Sequence, residues 1–582
     1  MCFVALNARS QYYLRGSVYD ENGKGIYNVK IILQSKGTMP FYTGASGAFG
    51  IPVSVTADSI TLQADGYEIL KTIVKAGLYQ SLVMKFSAGA TVITRHKLVS
   101  VIHKNKDEIS ESYSHSGETY TTLIENDFTQ TGQFPETGFA LNINRASYSN
   151  IRRFLNMDMK VPPDAVRIEE MLNYFDLSDK IKNNTAHFTC NTQLTQAPWN
   201  KNNRLLFINL KAPVLNVDNI APANLVFLID VSGSMDQPNR LPLIKDAFKM
   251  LVNNLRKQDT VAIVMYGGTV GTWLAPTSGM YKDSIKTAIE KLEAGGETPG
   301  EAAIKTAYAL AEKIASKNAN NRIILATDGD FNVGQTRDKE LEDIVVTHRQ
   351  SGIALTCLGV GMGNYKDSKL EALAKKGNGN FAYLDNIHEA EKVMVTEFTK
   401  TMYSVANNAY INISFNPAYI NSYRLIGFDN KKELPGDTTS ELEGGEVGTG
   451  HSFMAVFEIK PAAGFIDTAE HNSDMPVAQL TLHYQLTDND AEVTQPFTVI
   501  NNYIPLNQTN SRLRFATALI MFGGLLKQSD LWKNYTWTDV INITQASMHA
   551  NEFAETEFLK LAEKAKKMYA PVKKKKRKRN TE

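Results

Sequence analysis

The chain of 582 residues has only three cysteines, and Cys2, Cys190 and Cys357 stand far apart with no CxxC pair. That excludes a zinc knuckle, a thioredoxin-type motif and a disulfide-stapled scaffold, and leaves the redox compartment open. The ten histidines are dispersed. There is no GxxxxGK[ST] phosphate loop, no HExxH and no GxSxG nucleophile elbow, so the common hydrolytic and nucleotide-driven engines have no foothold. No apolar run reaches the roughly 18 residues of a membrane-spanning helix; the longest candidate, 515–526 (FATALIMFGGLL), is broken by a glycine pair and reads as a buried helix. Net charge is scarce too. The 62 Lys and Arg against 61 Asp and Glu leave +1, which gives no global pull toward nucleic acid or an anionic membrane. That balance conceals a skew, because residues 573–579 read KKKKRKR. Taking those seven positive charges from +1 leaves the rest of the chain at −6.

What is present is ordinary globular material, 43% hydrophobic and 21% charged, which excludes a disordered or collagenous chain. The length predicts roughly three to five domains. Pattern and composition divide the chain into a leader-like 1–8, a β-rich 14–86, a polar linker 87–122, a pre-domain 123–213, an α/β domain 222–404, a β-rich and helical region 405–570 and a basic tail 571–582. The first eight residues, MCFVALNA, are a short apolar stretch ending in a small residue, like the end of an export signal whose start lies upstream. This predicts a cell-envelope protein, periplasmic or surface-exposed, with a cytoplasmic one as the alternative. A lipid-anchored version would use Cys2, giving a peripheral membrane association.

From 14 to 86, turn signals recur about every ten residues between alternating strands, the pattern of a small β-sandwich. Gly16, Val18, Asp20 and Gly23 form G-x-V-x-D-x-x-G; Val29, then Thr43, Gly47 and Phe49, then Asp65–Tyr67 (DGY) follow. This arrangement resembles the carboxypeptidase regulatory-like domain, which implies a transthyretin-type fold. In the pre-domain, Val166, Ile168, Met171, Leu172 and Phe175 stand at helical spacing and predict a scaffold helix over 164–175.

The chemistry concentrates between 224 and 330. Residues 223–230 (ANLVFLID) are an apolar run ending in a carboxylate, the signature of a parallel strand buried on both faces. A helix over 241–257, a strand over 260–266, helices near 283–292 and 301–315 and a strand over 322–326 follow. The pattern continues with a strand at 353–360, a helix at 368–376, a strand at 380–384 and a helix at 389–404. Such alternation predicts an open, mostly parallel sheet flanked by helices. Ligands of such sheets gather at the carboxyl ends of the strands, and Asp230, Ser232, Ser234, Thr298 and Asp328 all fall on loops of that kind. Two carboxylates and three hydroxyls, with no His or Cys, suit Mg²⁺, Mn²⁺ or Ca²⁺ and not zinc.

DVSGSM, the later Thr and TDGD together resemble the metal-ion-dependent adhesion site of a von Willebrand factor type A domain. The resemblance implies that Asp230, Ser232, Ser234, Thr298 and Asp328 are metal ligands, the carboxylates directly or through water, while Asp236 and Asp330 are nearby acids without an assigned role. The flanking segments, FALNINRASYSNIRRFLN and PPDAVRIEEMLNYF before the domain and YINISFNP, YRLIGFDN and GGEVGTGHS after it, resemble the bacterial YfbK-like group. That group usually has Asp-x-Asp-Thr-Ala-Ser-Tyr where this chain has Asn142-Ile143-Asn144-Arg145-Ala146-Ser147-Tyr148. The fold expected is thus multidomain α/β: a central Rossmann-like domain, an N-terminal β-sandwich and a C-terminal β-rich plus helical region whose helices, 511–570, pack on the preceding β module.

The expected function is a non-enzymatic, metal-dependent protein-binding or adhesion scaffold in which the cation takes an acidic residue of a protein partner, with no specific nucleic acid. One alternative is an accessory subunit of an ATPase-dependent complex. A metal-dependent phosphohydrolase, with Asp230 as nucleophile, fits less well because Ser232 stands where a second carboxylate is needed. Glu446 and His451, in the loop EVGTGH, read as a hydrogen-bonding set and not as a catalytic dyad.

Overall fold

The computed structural model describes residues 12–85 and 120–570, apart from 22, 24, 27–28, 38–39, 44–46, 54, 65–66, 77, 121–122, 124, 142–143, 179–186, 215–220, 297–299, 318, 330–337, 350, 362–366, 399, 401–402, 429–444, 464, 466–475 and 488–490. The leader-like segment with Cys2, most of the linker, the basic tail, Asp65, Asn142, Thr298 and Asp330 therefore lie outside the described residues. The described residues form two compact units, one on each side of the linker. Among them, no helix is long and apolar enough to cross a membrane.

In the first unit, strand Tyr12–Asp20 lies between Ala48–Val53 and Tyr79–Met84. A second sheet runs Pro40–Tyr42, Lys30–Leu33, Ala57–Gln63, Leu70–Lys75. Residues spaced by two, such as Ile31 with Leu33 and Ile60 with Leu62, point into one core, as strand geometry requires. Thr43 has a structural task there: its hydroxyl donates to the Ile26 carbonyl at 2.7 Å and accepts from the Val29 amide at 2.9 Å.

The second unit contains the α/β domain. Its sheet runs Thr269–Ser278, Thr260–Gly267, Ala223–Asp230, Asn320–Thr327, Ile353–Gly359, Phe381–Tyr383, all parallel except the first strand. Alternate residues of the central strand serve two cores: Leu225, Phe227 and Ile229 face one helical layer, Val226 and Leu228 the other. Burial on both sides explains why the strand reads as one apolar run.

The pre-domain and the C-terminal region are built together. Strand Asn200–Lys211, before the α/β domain, pairs antiparallel with Ser452–Pro461, after it; likewise Glu136–Ala140 pairs with Ser404–Phe415. The α/β domain is thus an insertion in a body of two sheets. Leu206, Ile208 and Leu210 point between the sheets, against residues such as Ile411 and Phe457. On the opposite face, Leu205 and Phe207 pack under helices Ala146–Asn156, Ile168–Tyr174, Ser511–Lys527, Trp537–Ser547 and Phe553–Met568.

Three expectations change. The helix over 164–175 begins later: Pro163–Ala165 is a single tight turn, and the α-helix runs Ile168–Tyr174. The helix expected to reach Ser404 is Ile387–Glu391 followed by a wide turn at Lys392–Thr396, and Ser404 opens a strand. Alternation of burial from Ala409 to Phe415 governs that segment. Helix Ser511–Lys527 packs on helix Ile168–Tyr174 as well as on Met454 and Val456 of the β module, and it is buried nearly all round because FATALIMFGGLL offers no polar face. The edge strand Thr269–Ser278 had no clear signal in the sequence, since its partly exposed positions carry little alternation.

Candidate metal centre

The chain runs from strand Ala223–Asp230 to Thr260–Gly267 and Thr269–Ser278 on one side, then crosses to Asn320–Thr327 on the other. The order therefore reverses beside the central strand, the place at which open parallel sheets offer a ligand crevice beyond the strands' carboxyl ends. Asp230 ends one of these strands and Asp328 directly follows the other. Backbone packing holds the floor. The Val231 amide donates to the Tyr266 carbonyl at 2.8 Å, the Gly295 amide to the Val231 carbonyl at 2.7 Å and the Gly233 amide to the Gly296 carbonyl at 3.0 Å. Gly296 adopts φ +83°, and a Cβ there would lie 2.4 Å from the Gly268 nitrogen, so only glycine suits both the conformation and the contact.

Four of the five predicted residues are described. Asp230 is fully buried; its Oδ1 accepts from the Ser232 amide at 2.9 Å and its Oδ2 from the Thr327 hydroxyl at 2.8 Å. The Ser232 and Ser234 hydroxyls stand 3.1 Å apart, Ser232 buried and Ser234 exposed. Asp328 is 2% exposed and accepts from Arg240 Nη1 at 2.7 Å. The fifth residue, Thr298, lies outside the described residues, although the neighbouring Gly295 and Gly296 touch the Val231–Gly233 turn. Asp236 is exposed, its amide donating to the Gly233 carbonyl at 3.3 Å.

Burial pushes the Asp230 carboxyl up to about 6 against the hydrogen bonds it accepts, with the Asp328 charge adding to the rise. Burial, reinforced by the Asp230 charge, also holds the Tyr266 phenol well above its ordinary range. A cation in the crevice would relieve this accumulation of negative charge.

The geometry suits a small, hard dication. Adjacent oxygens of an octahedral Mg²⁺ site, at about 2.1 Å from the metal, are about 3 Å apart, and the two seryl hydroxyls are 3.1 Å apart. The longer bonds of Ca²⁺, shared among six to eight oxygens, allow a similar spacing. Ser232 and Ser234 could hold such an ion, with Asp328 beside them. Asp230 has a hydrogen bond on each oxygen, which suits it to orienting the serine turn and to contact through water. Among the described residues no group of three or more His, Cys, Asp or Glu is placed to hold a metal ion, here or elsewhere, so the site depends on its hydroxyls as well as its two carboxylates.

Thr327 and Arg240 are participants that motif reading missed. Thr327 was legible as part of TDGD but carried no assigned role. Nothing local marks Arg240, six residues beyond Ser234, as reaching back to Asp328. Glu446 and His451 do not form a dyad: the Glu446 carboxylate accepts from Arg322 at 3.1 and 3.2 Å, while His451 Nδ1 accepts from the Gly448 amide at 3.3 Å. In the pre-domain, Asn144 donates to Glu371 at 3.1 Å and Arg145 pairs with Glu397.

Comparison with known proteins agrees with this architecture. Residues 224–395 match the von Willebrand factor type A domain model, 114–207 a model described as von Willebrand factor, and 400–568 the model "Uncharacterized protein YfbK, C-terminal". The uncharacterized protein YfbK of Escherichia coli is 34% identical over 463 residues, 77% of this chain and 80% of its own length. Human inter-alpha-trypsin inhibitor heavy chain H2 is 28% identical over 218 residues, 36% of this chain and only 22% of the heavy chain. A solved von Willebrand factor type A protein from Catenulispora acidiphila aligns with TM-score 0.37 at 16% identity, over 59% of this chain and 81% of its own. The chain therefore belongs to the YfbK family of proteins with a von Willebrand factor type A domain.

Proposed function

We propose that this protein is a non-enzymatic, divalent-cation-dependent scaffold that binds a protein partner through an acidic side chain. The observation that carries this reading is the seryl hydroxyl pair, 3.1 Å apart, beside two buried carboxylates in a crevice that is exposed at Ser234. A bound Mg²⁺, Mn²⁺ or Ca²⁺ would supply an open position for the partner's carboxylate. Ser232 and Ser234 would hold it with neutral oxygens, Asp328 would balance part of its charge, and Asp230, tied to Ser232 and Thr327, would fix the serine turn. Thr298 belongs to the same set by its place in the motif. Neutral ligands suit the role, since they leave positive charge with which to attract an acid.

Phosphoryl transfer through Asp230 is disfavoured by its surroundings. Both carboxylate oxygens accept hydrogen bonds and the residue is fully buried, so it is poorly placed to attack a substrate. The carboxypeptidase regulatory-like identity of the first unit, and the envelope location inferred from MCFVALNA, complete the proposal as a tethered binding module. The test is calorimetric titration with Mg²⁺, followed by capture from envelope extracts with and without a chelator. Wild type should bind metal, and Asp230→Ala/Ser232→Ala should lose at least tenfold in affinity, about 1.4 kcal/mol. Identical titrations would refute the site.

A further inference from the structure

We propose that Arg240 is a built-in competitor of the cation, occupying Asp328 until a divalent ion displaces it, and so setting the ion concentration at which the binding surface becomes competent. This deepens the metal-site reading and rests on it.

Arg240 immediately precedes helix Leu241–Asn253, and its backbone is anchored: its amide donates to the Gln237 carbonyl at 3.0 Å and its carbonyl accepts from the Ile244 amide at 3.0 Å. From that fixed base the side chain turns back over the crevice. One nitrogen, Nη1, donates both to Asp328 Oδ2 at 2.7 Å and to the Ser234 carbonyl at 2.5 Å. The guanidinium thus bridges the two walls of the site, using an oxygen of the carboxylate that would face the metal.

The fold makes room for this arrangement. Gly361, which follows strand Ile353–Gly359, has φ +74°, and a Cβ there would lie 2.5 Å from Arg240 Nε and 3.0 Å from its Cγ. The Gly361 carbonyl is held in turn by the Tyr383 hydroxyl. A glycine therefore leaves a slot in which the arginine stem lies flat. The contact is at the rim, with 16% of the Arg240 side chain exposed, so the long flexible stem can swing outward while its backbone stays capped.

Electrostatics make the two cations exclusive. A guanidinium hydrogen-bonded to Asp328 would stand beside a dication on the same carboxylate, and like charges at such range repel strongly in a partly desolvated site. Arg240 supplies in the metal-poor protein the positive charge that Asp328 needs, since a buried carboxylate left unpaired is costly. Metal uptake exchanges one counter-ion for the other.

The experiment is titration of the full chain with Mn²⁺ alone, in wild type, Arg240→Gln, Arg240→Lys, Gly361→Ala and Asp328→Ala. Arg240→Gln should bind about tenfold tighter or more, because the competing charge is gone while the ligands remain. Gly361→Ala, which keeps the charge but pushes the arginine out of its slot, should also tighten binding; alanine is strained at φ +74°, so circular dichroism checks its fold, and together with Arg240→Lys it carries the test if Arg240→Gln fails to fold. Arg240→Lys should stay between wild type and Arg240→Gln. Unchanged or weaker binding in both Arg240→Gln and Gly361→Ala, with binding still lost in Asp328→Ala, would overturn the competitor role and leave the metal site standing. Absence of Mn²⁺ binding in every protein, wild type included, would overturn the metal-site reading and this inference with it.

Discussion

Replacing Arg152 by methionine is expected to do far more damage than loss of one surface-type ion pair. The residue lies on helix Ala146–Asn156, outside the α/β domain, with 3% of its side chain exposed. Its guanidinium reaches three carboxylates in two other parts of the molecule. Nε donates to Asp385 Oδ2 at 2.7 Å, with a second contact from Nη2 to the same carboxylate; Nη2 also reaches Glu389 at 2.7 Å, and Nη1 reaches Glu557 at 2.9 Å. Asp385 and Glu389, 5% and 3% exposed, belong to the inserted domain, whereas Glu557 is 21% exposed on a C-terminal helix. Methionine fills much of the volume but supplies no charge. Glu557 can rehydrate and should contribute little. The Asp385 and Glu389 carboxylates cannot, and removing one partner of such a buried set costs about 3–5 kcal/mol. That is a large share of the roughly 5–15 kcal/mol that stabilises a typical domain.

Urea unfolding followed by tryptophan fluorescence, together with calorimetry, measures the effect. The variant should lose about 3–5 kcal/mol, and its thermal transition should broaden or divide as the inserted domain uncouples from the helical layer. Burial already pushes the Asp385 carboxyl up, against its hydrogen bond from Arg152. Without the arginine it should rise further, so the folded variant takes up protons at a pH where the unfolded chain does not. Its stability should therefore recover relative to wild type as the pH falls from 7 toward the unfolded carboxylate range near about 4. Adding Glu389→Gln should restore part of the loss by removing one stranded charge. A variant within about 0.5 kcal/mol of wild type, a change typical of surface sites, would refute the idea that this cluster binds the insertion to its body.

Two other predictions follow from buried groups. His451 is 5% exposed, and burial, reinforced by the charges of Arg145, Lys400 and Lys392, holds its imidazole well below its ordinary range. Its stabilising contribution is present above about pH 6.5 and is lost as the pH falls below that value, at up to about 1.4 kcal/mol per unit; His451→Gln should flatten the stability profile between pH 5 and 6.5, and an unchanged slope there would count against the assignment. Gly524→Ala should destabilise despite alanine's better helix propensity, because its Cβ would lie 2.5 Å from Trp532 Cδ2 and from the Tyr535 hydroxyl. An overpacking cost of about 1–3 kcal/mol exceeds the gain of about 1 kcal/mol in propensity, and a raised melting temperature would contradict the packing argument.

Much of the molecule was readable from local pattern. The run Ala223–Asp230 announced a strand buried on both faces, and Asp230, Ser232, Ser234 and Asp328 announced an oxygen-rich loop cluster, because periodicity and residue chemistry are properties of short segments. The pairing of Asn200–Lys211 with Ser452–Pro461, around an inserted domain, was not readable, since register between distant strands depends on which apolar faces meet after collapse. The same holds for the glycine pair in FATALIMFGGLL. In sequence it reads as an interruption, whereas the fold uses Gly524 to admit Trp532. The glycine at 361 likewise has no meaning until the stem of Arg240 lies against it. The sequence by itself determined the donors available to the crevice and the strands that carry them. Only the tertiary structure decided that the order reverses between Asp230 and Asp328 and that a guanidinium bridges Asp328 and Ser234, because these contacts depend on where the folded backbone places residues that local pattern leaves unrelated.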